Sequence, residues 1–241
     1  MVYNKNFEEL LKTLPDNEYV GLGNPNAKIL FIGKEAGTDI GTEIFHGNTK
    51  SWKVKEFDYS KRYIPIEPHL RNLNHTWQRY QKLYDKIVSK LCIIDDNPKK
   101  DKYEITFLEN IFTTEFSNMP AKTTNTAKKQ IDFRTELEKR KLAFFNTNFI
   151  EQFSIIVIFA NDSNYIETYS GEVSKLFKVK FDYIYDYPGR DKIWIHSGIH
   201  SGFNPKLLIH TRQLTNSISK DLLDSISEII TNFIKANSLN L

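Results

Sequence analysis

Lys28-Ile29-Leu30-Phe31-Ile32-Gly33-Lys34-Glu35-Ala36-Gly37 is a short apolar run that ends in a glycine-bounded polar turn. A run this short, apolar on both faces and entered through Gly21-Leu22-Gly23-Asn24-Pro25, predicts a central strand of a parallel sheet. Its turn then lies at the carboxyl edge of that sheet, where open α/β folds bind their ligands. A second run of the same kind, Lys206 to Ile209, is followed by His210-Thr211-Arg212-Gln213-Leu214-Thr215. Two such strands side by side bring the Glu35 carboxylate and the His210 imidazole to one crevice, although 175 positions separate them in the chain.

The rest of the chain alternates in the same way. Phe7, Leu10, Leu11 and Leu14 have helical spacing and stop at Pro15. Trp77, Tyr80, Tyr84, Ile87, Val88 and Leu91 predict a helix from about His75, and Ile218, Leu222, Ile226, Ile229, Ile230 and Phe233 predict one from about Ser217. Tyr103 to Phe112 reads as a strand, Phe153 to Ala160 as a buried strand, and residues 165 to 177 as a helix. Two short runs around Pro188-Gly189 predict a hairpin. Between Gly37 and Asn74 no periodicity is sustained, and the aromatic content (Phe45, Trp52, Tyr59, Tyr63) predicts an ordered loop that builds a site. The expected architecture is therefore α/β: one domain over residues 1–241, in three α/β/α layers with a short, mainly parallel central sheet.

Composition narrows the function. Thirty-three Lys and Arg against 30 Asp and Glu leave a net charge of +3, which permits nucleic-acid contact without a basic tract that demands it. A single cysteine, Cys92, excludes a disulfide within the chain and any cluster held by four of its own thiolates. No apolar run reaches membrane-spanning length and no signal core opens the sequence, so a cytoplasmic protein without membrane contact is expected. His196, His200 and His210 have no carboxylate or thiol close by in sequence, and the intervening Ser197-Gly198-Ile199 does not read as helix, so no metal is expected. Seven Lys or Arg against three acids between Ala121 and Lys141 predict a loop entering a solvated helix, with Lys128, Lys129 and Arg134 able to hold phosphates.

These motifs, in this order, resemble the uracil-DNA glycosylase superfamily. Gly33-Lys34-Glu35-Ala36-Gly37 is similar to its first motif, a Gly-x-x-Pro-Gly type turn with a polar or acidic catalytic residue third. His210-Thr211-Arg212-Gln213-Leu214 stands where its His-Pro-Ser type motif would fall. Ala36 replaces the proline of the first motif, and Thr211-Arg212 replace Pro-Ser in the second. The resemblance implies Glu35 and His210 as catalytic groups, and Phe45, Asn110 and Gly33 as the base pocket. It places Arg212, Gln213 and Leu214 on the DNA, with Leu214 as a wedge in the duplex. It further implies a monomer that needs no cofactor and acts on uracil or a related deaminated base in single- or double-stranded DNA. A non-catalytic nucleic-acid or nucleotide binding protein with the same pocket is the alternative, and a hydrolase of free nucleosides or other small molecules a third.

Overall fold

The computed structural model describes residues 2–37, 47–65, 71, 76–94, 97–198, 205–215 and 218–241. Seven strands make one sheet: β1 (Leu22–Gly23), β2 (Ile29–Gly33), β3 (Ile111–Glu115), β4 (Ile155–Phe159), β5 (Val179–Ile184), β6 (Trp194–Gly198) and β7 (Leu207–Thr211), in the order β1-β3-β2-β4-β7-β6-β5. The central four, β3-β2-β4-β7, are parallel, and β1, β6 and β5 extend them with antiparallel pairs. The chain leaves β2 for β3 on one side and later returns to β4 on the other. The reversal opens the carboxyl edge around β2, the expected place for a ligand.

The strands are buried because they are apolar on both faces: every residue of β2, β4 and β7 is buried. Alternation sends Ile29, Phe31, Ile111, Val157 and Ile209 to one face. There they meet α3 (Thr76–Leu91) and α8 (Lys220–Ala236). Leu30, Ile32, Phe112, Ile156, Ile158 and Leu208 go to the other face. That layer contains α1 (Lys5–Thr13), α2 (Thr49–Val54), α4 (Thr124–Ala127), α5 (Phe133–Arg140), α6 (Asn148–Glu151) and α7 (Glu172–Phe177). Caps set several helix starts: the side chains of Asn4, Thr123 and Ser219 accept from Phe7, Thr126 and Leu222 N–H groups.

Three expectations change. The strand placed over Tyr103 to Phe112 runs instead from Ile111 to Glu115, and a single 3₁₀ turn (Phe107–Glu109) leads into it. Its polar carboxyl half is accommodated because the Thr114 hydroxyl donates to the Val20 carbonyl and accepts from Arg140. The basic stretch from residue 121 to 141 does hold a helix, but one face of it is buried. Phe133, Leu137 and Arg140 of α5 are buried, as are Phe144 and Phe145 in the π-helical turn that follows (Lys141–Phe145). The predicted helix over residues 165 to 177 shortens to α7, with turns before it.

Arg140 ties the two halves of this layer together. Its guanidinium donates to Glu18 Oε1 at 2.5 Å, the Tyr19 carbonyl at 2.6 Å, Thr114 Oγ1 at 3.0 Å and the Glu115 carbonyl at 3.0 Å. Removing one member of such a set strands the others without partners in a dry interior. Arg140→Ala should therefore lower the urea unfolding free energy by about 3–5 kcal/mol. A loss below about 1 kcal/mol, the size typical of an exposed pair, would contradict this role.

Candidate functional site

A crevice of about 830 Å³ opens at the carboxyl edge beside β3 and β2. It is lined by Gly33, Glu35 and Glu115, by Thr76, Trp77, Gln78 and Tyr80 of α3, and by Phe57, Tyr59 and Tyr63, the last in edge contact with Trp77. Gln213 and Thr215 reach it from the turn after β7, so the two turns singled out in the sequence do share one cavity. The volume falls within the general range of small-molecule sites.

Glu35 is held firmly. Backbone N–H groups of the segment after β3 donate to the turn: Phe116 to Gly33, Ser117 to Lys34 and Ala121 to Ala36. This zipper brings Thr124, the first residue of α4, to Glu35 Oε1 at 2.9 Å, while the Tyr165 hydroxyl donates to Oε2. Two hydroxyl donors on one buried carboxylate contribute about 1.5–3 kcal/mol each and fix its direction. Next to it, Asp162 accepts from Lys34 and Lys128, and these contacts hold its carboxyl down at about 2 despite burial.

Glu115 is the residue that sequence reasoning missed. Parallel register places it opposite Gly33, on the crevice face. A Cβ at position 33 would overlap Glu115 Oε2, so glycine there leaves the space in which the Glu115 carboxyl lies. Among the described residues its carboxyl oxygens accept no hydrogen bond, although its backbone carbonyl is tied to Arg140. Burial, reinforced by the Glu35 charge and only partly relieved by Arg140, pushes its carboxyl up to about 8. The signal in the sequence was the strand end itself, legible only once β3 is placed at Ile111–Glu115.

His210 ends β7 at the same edge as Glu35 but does not face the crevice. Alternation sends it to the side of Leu208, opposite Ile209 and α8. The Ala160 carbonyl, 3.2 Å from Nε2, can only accept, so Nε2 carries the ring proton and Nδ1 accepts from the Thr168 hydroxyl. The ring also packs on Trp194, with centroids 5.0 Å apart. Leu214, expected to be a wedge, is fully buried in the layer of α3 and α8. Asn110 lies at the amino end of β3, away from Glu35, and donates to the Tyr84 hydroxyl at 2.6 Å. Arg212 pairs with Asp191 instead of lining the crevice. Lys128 is engaged by Asp162, while Lys129 and Arg134 are exposed. Phe45 and His200 fall outside the described residues. Phe57, 56% exposed, and Tyr63 present aromatic surface at the crevice.

No protein-family model matches the chain, and no curated protein matches it significantly. Among the described residues no helix is long and apolar enough to cross a membrane.

Buried titratable groups make stability depend on pH in opposite directions. Desolvation pushes His196 and His210 down to about 4 each, so their neutral forms are favoured in the fold. Their contribution is complete above the unfolded value of about 6.5 and is lost as pH falls towards 4, at up to roughly 2.7 kcal/mol per pH unit for the two together. Glu115 acts the other way: its contribution is complete below about 4.5 and is lost as pH rises through about 8. Glu115→Gln should therefore unfold at a higher urea concentration than the unsubstituted protein at pH 9, with the difference shrinking as pH falls to 4.5. An unchanged difference across that range would contradict the assignment.

Proposed function

We propose that the protein is a DNA glycosylase of the base-flipping kind, with a fold like that of the uracil-DNA glycosylase superfamily, acting as a monomer on uracil or a related deaminated base. The observation that carries the reading is Glu35: a carboxylate clamped by Thr124 and Tyr165 at the carboxyl edge, lining an aromatic-walled crevice.

Breaking an N-glycosidic bond places positive charge on the sugar and negative charge on the departing base. A fixed carboxylate stabilises the first and orients the attacking water. Gln213 offers an amide donor from the opposite turn, and the aromatic walls offer stacking surface for a base taken out of the helix. His210 takes no part in this chemistry: its ring is sealed between Thr168, Ala160 and Trp194 and supports the fold.

The test is base release from uracil-containing oligonucleotides, single- and double-stranded. Glu35→Gln should slow release by about a hundredfold or more while oligonucleotide binding persists, because the carboxylate acts on charge that develops only in the transition state. Release that survives the substitution contradicts the role given to Glu35. The sealing of His210 away from the crevice favours a second reading, a nucleic-acid or nucleotide binding protein without catalysis. Oligonucleotide binding with no release of uracil, hypoxanthine or xanthine by the unsubstituted protein supports it.

A further inference from the structure

We propose that Glu115 determines specificity in this crevice, presenting a neutral carboxylic acid whose hydroxyl donates to, and whose carbonyl accepts from, a nucleobase edge with an acceptor and a donor side by side. The inference rests on the base-pocket reading above and assigns its recognition group.

The geometry supplies the direction. Glu115 ends β3 on the crevice face, its carboxyl rests over Gly33, and no hydrogen bond within the described residues engages its carboxyl oxygens. Half-buried in the crevice lining, the carboxyl is open to what enters the cavity. The groups that face it are Glu35 from the turn after β2, Arg140 from α5, Tyr19 from the segment before β1, Tyr80 from α3 and Tyr165 from the segment after β4. Burial raises the pKa of all three phenols, so they stay neutral across the physiological range. Glu35 and Arg140 then set the local charge. The proton retained by Glu115 is the counterpart of the negative charge on Glu35.

A protonated carboxyl offers one donor and one acceptor. That complements the carbonyl and imino N–H of uracil or hypoxanthine, and equally the ring nitrogen and amino group of cytosine. An ionised carboxylate offers acceptors only, which suits the two adjacent donors of guanine. Selectivity should therefore change with pH about the titration of this one group, near 8.

Calorimetric binding of deoxyuridine and deoxyguanosine at pH 6.5 and 9.0, to the unsubstituted protein and to Glu115→Gln, tests this. Glutamine keeps one donor and one acceptor but cannot ionise. Deoxyuridine affinity should fall about tenfold between the two pH values in the unsubstituted protein, following the fraction of Glu115 that remains neutral. It should stay within about twofold in Glu115→Gln, while deoxyguanosine gains affinity with pH in the unsubstituted protein only. Equal pH dependence in both proteins, or none in the unsubstituted protein, overturns the assignment of Glu115 and leaves the base pocket standing. Failure of both proteins to bind either nucleoside at both pH values overturns the base pocket and this assignment with it.

Discussion

Parallel pairing of β2 with β3, which sets Gly33 opposite Glu115, is the constraint on which the site depends. A side chain at position 33 would push the end of the Glu115 side chain aside, so glycine lets the carboxyl rest there. The same register lets the chain leaving β3 zip onto the turn that carries Glu35, so one pairing fixes both acids. Arg140 braces the arrangement from beneath, through the Glu115 carbonyl and the Thr114 hydroxyl. The result is a half-buried carboxyl that lines the crevice with a raised pKa, as functional sites often have.

The core was legible in the sequence where one interaction dominates. Ile29 to Ile32 and Ile155 to Phe159 are apolar on every side and could only be buried strands. α1, α3 and α8 follow from 3.6-residue spacing, and the 179–198 hairpin from the pair of short runs around Pro188-Gly189. The shared edge of Glu35 and the turn after His210 followed from those strands alone.

What was hidden involved polar groups satisfied by distant partners. Thr113-Thr114-Glu115 lies past the end of the strand read from the sequence, because its polarity is visible and the partners of Thr114, Val20 and Arg140, are not. Arg140 and Lys141 read as solvated until Glu18 and Glu172 are brought to them. His210 misled for another reason. Its position at a strand end was right, but the two-residue alternation of β7 decides which face it takes, and that face is the one away from the crevice. A motif gives the edge, whereas register gives the direction of the side chain. The same distinction moves Leu214 from a surface wedge into the core.

The chemistry that remains at the crevice is carboxylate and carboxylic acid side by side, one clamped by hydroxyls and the other free to meet a ligand. Carbon-13 NMR titration of the glutamate side-chain carboxyls, with Glu115 assigned by its loss in Glu115→Gln, tests this most directly. The account predicts a Glu115 midpoint near 8 that falls when Glu35 is replaced by Gln, since the Glu35 charge helps to hold that proton in place. A midpoint in the ordinary carboxylate range of about 4 to 5, or one indifferent to Glu35, would contradict it.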